Sequence, residues 1–156
     1  MLVVSSCLAG LKVRYNGSHS LHSVIERLVI EGKAITICPE LLSGFSTPRE
    51  PAEIIGGNGQ DVLNGKARVV EKSGRDVTDM YLDGAEKTLE LVKQYKATAV
   101  ILKEYSPSCG STKIYNGDFD GSLISGDGVT SALLRKHGIE VYSERNMNQL
   151  LESMTP

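Results

Sequence analysis

The chain has 156 residues and carries 17 lysine and arginine side chains against 19 aspartates and glutamates, a net charge of −2. This balance argues against a dedicated nucleic-acid-wrapping protein, whose surface would carry a clear basic excess. The composition is ordinary for a globular chain, and no apolar run reaches the roughly 18 residues that a membrane-spanning helix needs. The N-terminus lacks the features of a signal peptide. We therefore expect one soluble, cytoplasmic domain spanning residues 1–156.

Short apolar runs alternate along the chain with segments of helical periodicity. The apolar runs predict core strands at residues 2–6, 34–37, 98–103 and 139–143. The periodic segments predict helices at residues 18–29, 76–92, 128–137 and 147–153. This alternation favours an α/β fold: a Rossmann-like open sheet, mainly parallel, with helices on both faces.

Residues 41–75 interrupt the pattern. Two prolines and the cluster Gly56-Gly57-Asn58-Gly59 indicate a long loop. The alternation of residues 67–71 predicts a small hairpin with its turn at Ser73-Gly74. Loops of this length inside a compact domain are unusual and often serve as functional lids or binding segments. The fold prediction therefore includes a long loop and hairpin insertion.

The three cysteines each follow the carboxyl end of a predicted strand. Cys7, Cys38 and Cys109 are separated by 31 and 71 residues along the chain. In an open parallel sheet the carboxyl ends of the strands share one edge, and ligands bind in the crevice beyond it. We therefore expect the three thiols to converge on a binding site.

Four interpretations of these cysteines are open at this point. They are consistent with buried, inert thiols, since free cysteine is among the most buried residue types. A structural zinc site usually needs four closed ligands and paired Cys-x-x-Cys spacing; the spacing is absent, and His19 or His22 would have to supply the fourth ligand. A lone Cys109 nucleophile needs a nearby base, which the sequence does not identify. An iron–sulfur cluster on three thiolates would leave one iron open to a substrate as a Lewis acid.

Motifs in the same order over nearly the whole chain resemble those of the thiouracil desulfurase family. They are Cys-Leu-x-Gly at 7–10, Val-Arg-Tyr-Asn-Gly at 13–17, Cys-Pro-Glu at 38–40, Thr-Pro-Arg at 47–49, Leu-Lys at 102–103, Ser-Pro-Ser-Cys-Gly at 106–110 and Gly-x-Gly-Val-Thr at 126–130. The resemblance implies a 4Fe–4S cluster on Cys7, Cys38 and Cys109, whose open iron takes the sulfur of a thiolated pyrimidine. It also implies that desulfuration is non-redox and yields the oxo-pyrimidine and sulfide.

Replacing the sulfur of a C=S group by the oxygen of water requires a sulfur acceptor, an activated water and proton transfer to the ring. We predict that Glu40, two residues after Cys38, is the acid–base group. The alternatives for Glu40 are a solvated loop carboxylate or an ion-pair partner of Arg49. Ser106 and Ser108 are predicted to position water or the substrate carbonyl, although Ser-Pro-Ser is also ordinary turn chemistry.

Three basic residues, Arg14, Arg49 and Lys103, lie near the predicted sheet edge and are candidates for orienting a pyrimidine or a phosphate. The backbone amides of residues 125–130, at a predicted helix start, are a further candidate site for a ligand carbonyl or anion. A small thiopyrimidine base or nucleoside is favoured over tRNA because the chain has no run of lysines or arginines. A non-catalytic module stapled by a metal and a metal-free thiol enzyme are the other classes left open.

Overall fold

A computed structural model of the protein describes residues 1–9, 23–46 and 48–153. The strands are β1 (Leu2–Ser5), β2 (Ala34–Ile37), β3 (Ala52–Ile55), β4 (Arg68–Glu71), β5 (Ala99–Leu102), β6 (Lys113–Tyr115), β7 (Leu123–Ser125) and β8 (Glu140–Ser143). The helices are α1 (Ser23–Ile30), α2 (Pro39–Leu42), α3 (Gly59–Leu63), α4 (Thr78–Gln94), α5 (Val129–Lys136) and α6 (Asn148–Ser153), and a 3-10 turn covers Ser6–Ala9. In these ranges no helix is both long and apolar enough to cross a membrane. Arg14, His19 and His22 lie outside the described residues.

Four parallel strands form the central sheet, in the order β2-β1-β5-β8. The predicted α/β fold with a mainly parallel sheet is therefore confirmed. The chain adds β2 on one side of β1 and then places β5 and β8 on the other side, so the strand order reverses between β1 and β5. Open α/β sheets bind ligands at such a reversal, in the crevice beyond the carboxyl ends of the strands.

Helices cover both faces of this sheet because successive strand residues point to opposite sides. Leu2 and Val4 of β1 belong to one buried cluster with side chains of α1 and α6. Val3 of the same strand belongs to a second cluster with side chains of α4 and α5. A sheet that is buried on both faces needs continuous apolar strands, which is the pattern that the sequence shows.

The insertion between β2 and α4 contains an antiparallel pair, β3 and β4, with the short helix α3 between them. The predicted turn at Ser73-Gly74 is present, since the Gly74 amide donates to the Glu71 carbonyl at 2.8 Å. The strand that pairs with β4, however, is β3, which lies in a segment that the sequence predicts to be a loop. Ile54 of β3 lies opposite Val69 of β4, and both side chains are buried in a third apolar cluster. Tertiary burial thus decides the pairing, which local turn chemistry does not reveal.

A second antiparallel pair, β6 and β7, follows the central strand β5. The residues of β6, Lys113–Tyr115, have a strand-like sequence, whereas those of β7 show no such signal. All three side chains of β7 are exposed, so the strand carries no alternation of buried and exposed residues.

Candidate active site

All three cysteines line one cavity of about 360 Å³ at the carboxyl edge of the central sheet. Cys7 lies in the 3-10 turn that follows β1, and Cys109 lies in the loop that follows β5. Cys38 immediately precedes α2 and has an extended backbone, with φ −134° and ψ 107°. Three different local structures therefore bring the sulfurs to the crevice where the strand order reverses.

The Cys38 segment is held by direct packing of α4 on α2. Pro39 takes the first position of α2, where its missing N–H costs no helical hydrogen bond. Gly84 of α4 faces the Pro39 carbonyl oxygen, which would lie only 2.4 Å from a Cβ at that position. Only glycine allows this approach without a shift of the backbone, so Gly84 sets the distance between the two helices.

The Cys109 loop is held by the start of α5. The amides of residues 128–130 donate to the carbonyls of Gly110, Pro107 and Ser108 at 2.8, 2.7 and 2.9 Å respectively. The sequence predicts that these amides bind a ligand carbonyl or anion. That prediction is wrong for residues 128–130, because carbonyl oxygens of the loop already accept their hydrogen bonds. The helix start serves instead to fix the loop.

The two serines predicted to be catalytic occupy different environments. Ser106 lines the cavity, and its Oγ accepts a hydrogen bond from the Cys109 amide at 2.7 Å. Ser108 is only 1% exposed and is not part of the cavity wall; its Oγ lies 2.9 Å from the Thr130 hydroxyl. The Cys109 thiol also donates to the Ser108 Oγ, at 3.6 Å. Ser108 thus contacts Cys109 and Thr130 from outside the cavity wall, and its predicted catalytic role stays a prediction.

Glu104, which is not predicted from the sequence, fixes the far end of the same loop. Its Oε1 accepts the backbone amides of residues 111–113 at 2.7 to 3.3 Å, and its Oε2 accepts the Ser111 hydroxyl at 3.1 Å. Burial by itself would raise the pKa of this carboxyl, but hydrogen bonds from the Thr112 and Ser111 amides outweigh it and lower the pKa to about 2. The feature of the sequence that could have indicated this role is the position of Glu104, an acidic residue just after a buried strand.

The three sulfurs influence one another electrostatically. Burial raises the pKa of the Cys109 thiol, and the charge of Glu40 and the nearby Cys38 and Cys7 thiolates raise it further. Burial also raises the pKa of Cys38, although a hydrogen bond from the Leu41 amide opposes the effect. None of the three cysteines is part of a disulfide. Sulfurs that repel one another as thiolates in a buried space are suited to a cationic metal group.

The donor set fits an iron–sulfur cluster. In residues 1–9, 23–46 and 48–153, no three His, Cys, Asp or Glu side chains form a group that could hold a metal ion. The three cysteines instead surround a shared cavity. A polynuclear cluster needs thiolates spread around a shared space, because each cysteine binds a different iron.

Glu40 lies in the first turn of α2 and lines the cavity. Its Oε2 accepts hydrogen bonds from the Arg49 Nε at 3.0 Å and from the Tyr81 hydroxyl at 2.8 Å. The Glu40 side chain is 14% exposed and that of Arg49 only 6%, so the ion pair is largely buried. Burial lowers the pKa of Arg49, but the charge and hydrogen bond of Glu40 outweigh it and raise the pKa. The alternative in which Glu40 pairs with Arg49 is therefore correct, and the paired carboxylate still faces the cavity.

Tyr81 is a cavity residue that is not predicted from the sequence. It lies on the buried face of α4, is 4% exposed, and its ring centroid lies 5.4 Å from that of Phe45. Burial, followed by the charge of Glu40, raises the pKa of Tyr81 well above its ordinary value. The signal in the sequence is a tyrosine four residues before Ala85, on the apolar stripe of α4, because a buried tyrosine needs a partner for its hydroxyl.

The remaining predicted contact, Lys103, also lines the cavity. Its Nζ lies 3.6 Å from the Glu144 Oε1 and 5.8 Å from the centroid of the Tyr105 ring. The Lys103 side chain is 23% exposed. Lys103 therefore brings a partly neutralised cation to the cavity wall.

The loop of residues 116–122 adds an aromatic wall. Glu53 of β3 is 7% exposed, and its Oε1 accepts the amides of Gly117 at 2.9 Å and Phe119 at 3.2 Å. Phe119 has φ 56°, a left-handed conformation that is uncommon for residues other than glycine. Phe119 and Tyr115 both line the cavity. Glu53 thus holds an unusual loop conformation that places the Phe119 side chain at the site, beside Tyr115 of β6.

The fold and the site together define the class of protein. The model of the 2-thiouracil desulfurase family matches residues 2–146, and the chain belongs to this family. The family resemblance of the sequence motifs is thereby confirmed.

Two relatives share almost the full length of the chain. The uncharacterized protein YbbK of Bacillus subtilis (strain 168) is 60% identical over 151 residues, which cover 97% of this chain and 100% of that protein. The solved structure of a 4Fe-4S-dependent thiouracil desulfidase, TudS, is 42% identical, with a TM-score of 0.86. This match covers 98% of the present chain and 96% of the TudS chain.

Proposed function

We propose that this chain removes the sulfur of a 2-thiopyrimidine such as 2-thiouracil, using a 4Fe–4S cluster held by Cys7, Cys38 and Cys109. The observation that carries the proposal is that these three cysteines and the buried carboxylate of Glu40 line a single cavity. Membership of the 2-thiouracil desulfurase family supports the reaction, and the similarity to TudS supports the cluster. The reaction exchanges the ring sulfur for the oxygen of water and gives uracil and hydrogen sulfide. No electron is gained or lost.

When bound, the cluster supplies an iron without a protein ligand that accepts and polarises the sulfur of the C=S group. Glu40 accepts a proton from water at Oε1 while the water oxygen bonds to the ring carbon. As the C–S bond breaks, the carboxylate gives that proton to the departing sulfur. The second proton of the water leaves the new hydroxyl as the C=O bond forms and also passes to the sulfur, so that hydrogen sulfide departs and the Glu40 carboxylate is regenerated. Arg49 acts through Glu40, because its Nε is bonded to the Oε2.

Ser106 and Lys103 are the proposed donors to the substrate or to the attacking water. The Ser106 Oγ accepts the Cys109 amide, which leaves the hydroxyl proton of Ser106 to be donated into the cavity. Lys103 brings its Nζ to the same wall. Each donor is suited to a carbonyl oxygen of the pyrimidine ring.

A free base, or a nucleoside, is the substrate that we propose in preference to tRNA. The cavity of about 360 Å³ lies at the small end of the range for small-molecule sites. Its wall contains Phe119 and Tyr115, whose faces suit a planar ring. Cysteines that form no disulfide are typical of cytoplasmic proteins, and the cytoplasm is where we place this protein.

The decisive experiment compares three glutamate variants after anaerobic cluster reconstitution. Glu40→Gln is expected to keep its iron and to lose turnover of 2-thiouracil by about 100- to 10,000-fold, the usual contribution of general acid–base catalysis. Glu53→Gln tests a second buried carboxylate, one that accepts two backbone hydrogen bonds through its Oε1. This variant is expected to raise KM, and its kcat should stay within a few-fold of the wild-type value. Glu86→Gln, on the exposed side of α4, is the control and should match the wild type.

The readouts are uracil formed in a single turnover and iron content of the same samples. Wild-type turnover in cluster-loaded Glu40→Gln would remove Glu40 from the chemistry, and loss of kcat in Glu53→Gln would move the role there. A wild-type protein that carries its cluster but leaves 2-thiouracil intact would refute the proposed function. Stoichiometric zinc after anaerobic purification would favour a metal staple, and a colourless, metal-free but active protein would favour a thiol enzyme.

A further inference from the structure

Two hydrogen-bond donors hold the Glu40 carboxylate by the same oxygen. Among the described residues, the Arg49 Nε and the Tyr81 hydroxyl both donate to the Oε2, at 3.0 and 2.8 Å. The terminal torsion of a glutamate is intrinsically broad, so the orientation of the carboxylate must be imposed by its partners. Two donors on the Oε2 impose it and turn the Oε1 away from both of them. Glu40 lines the cavity, and both of these hydrogen bonds end on the Oε2, which leaves the Oε1 available to a ligand.

The position of the Tyr81 hydroxyl is itself fixed by packing. Its ring is 4% exposed and lies against Phe45, with the ring planes tilted by 57°. Gly84, almost one helical turn further along α4, lies against the Pro39 carbonyl at the start of α2. The helix that carries the phenol is therefore docked directly on the helix that carries Glu40. A group supported in this way holds its partner far more accurately than a loop does.

We propose that Tyr81 is a positioning residue for the desulfuration: its hydroxyl holds the Glu40 Oε2 so that the Oε1 faces the substrate. The inference rests on the proposed function, in which Glu40 transfers the proton. Tyr81 touches neither water nor pyrimidine in this assignment and acts only through Glu40. Burial raises the pKa of Tyr81 well above its ordinary value, which favours the protonated phenol that donates to Glu40.

The test is Tyr81→Phe, which removes one oxygen and keeps the ring against Phe45. The matched control is Tyr95→Phe, at the exposed end of the same helix. With the cluster loaded, Tyr81→Phe is expected to lower kcat for 2-thiouracil by about 10- to 100-fold, the usual effect of a hydrogen bond to a charged group. KM should stay within about threefold and iron content should not change. Tyr95→Phe should match the wild type in all three quantities.

A double-variant cycle separates positioning from a general structural effect. In a Glu40→Gln background, adding Tyr81→Phe should change kcat by less than about twofold, because the carboxylate through which Tyr81 acts is already absent. An equal loss in both backgrounds would overturn the assignment, since the phenol would then act independently of Glu40. Unchanged kcat in Tyr81→Phe alone would overturn it as well.

A second readout does not depend on turnover. A crystal structure of cluster-free Tyr81→Phe should show the Glu40 carboxylate rotated or in more than one orientation, and the wild type should show one. The same single orientation in both proteins would overturn the inference. This comparison also distinguishes the two levels of proposal: a wild type inert toward 2-thiouracil refutes the function, whereas an unmoved carboxylate refutes only the role of Tyr81.

Discussion

Gly128 is the point at which α5 meets the loop that carries Cys109, and alanine at this position is expected to disturb the cluster site. The backbone of Gly128, with φ −72° and ψ 173°, suits any residue, so the substitution carries no conformational cost. The new Cβ would lie 2.5 Å from the carbonyl carbon and oxygen of Ser108 and 2.7 Å from the carbonyl oxygen of Pro107. Ordinary contact begins at 3.4 Å, so the loop must move by about 0.9 Å.

That movement changes the place of Cys109 relative to the other two cysteines. The atoms in the way belong to the backbone and cannot rotate aside, and extra volume of this kind costs about 1–3 kcal/mol of stability. A misplacement of about 1 Å at a reacting site lowers the rate by on the order of 100-fold. We therefore expect Gly128→Ala to bind less iron on anaerobic reconstitution and to form uracil about 100-fold more slowly.

The matched control is Gly32→Ala, between α1 and β2. Gly32 has φ +73° and no atom within 4 Å of an added Cβ, so alanine there strains the backbone without a clash. It should cost about 1 kcal/mol of stability and leave iron content and turnover at wild-type levels. The comparison thus separates loss of stability from displacement of the loop. A folded Gly128→Ala with full iron and wild-type turnover would refute the reasoning.

Three further predictions follow from the site. Serine at Cys7, Cys38 or Cys109 should lower bound iron and abolish turnover, because hydroxyls hold iron less well than thiolates; full iron in a variant would remove that residue from the ligand set. The pKa of Glu104 is lowered to about 2, so the stability it contributes is present above about pH 4.5 and is lost as pH falls toward 2. Urea unfolding of Glu104→Gln should therefore depend less on pH between 5 and 3 than that of the wild type, and equal dependence would contradict this. Phe119→Ala should raise KM for 2-thiouracil by about 10-fold with kcat unchanged, through lost stacking on the ring, and an unchanged KM would exclude that contact.

The central sheet could be predicted because its signals are local. Leu2–Ser5 and Ala99–Leu102 are short runs in which every side chain is buried, and such runs are visible without knowledge of the rest of the chain. Strand β7, Leu123–Ser125, is wholly exposed and has no such signal. The loop before it is anchored by Glu53, 64 residues earlier than Gly117, and no local pattern reports a contact over that separation.

Within the site, the convergence of the cysteines could be predicted from the sequence, whereas the contacts of the polar side chains could not. The three cysteines could be brought together from the sequence because parallel strands share one carboxyl edge whatever their side chains are. Ser106 and Ser108 look equivalent in sequence, yet one caps the Cys109 amide inside the cavity and the other bonds to Thr130, 22 residues away. The assignment of the whole chain to one domain stays a prediction.

Four glutamates line the cavity, and their hydrogen-bond donors distinguish three of them from Glu40, the proposed acid–base group. Glu104 binds three backbone amides and a hydroxyl, and Glu53 binds two backbone amides. Glu50 binds the amide and hydroxyl of Ser73. Among the described contacts, only Glu40 takes both of its hydrogen bonds from other side chains, a guanidinium and a phenol. Backbone donors are fixed by the fold, so Glu104, Glu53 and Glu50 cannot lose their backbone donors without movement of a loop. The donors to Glu40 can be replaced while the walls remain, and for that reason substitutions around Glu40 can change the rate of desulfuration without changing the cavity in which it occurs.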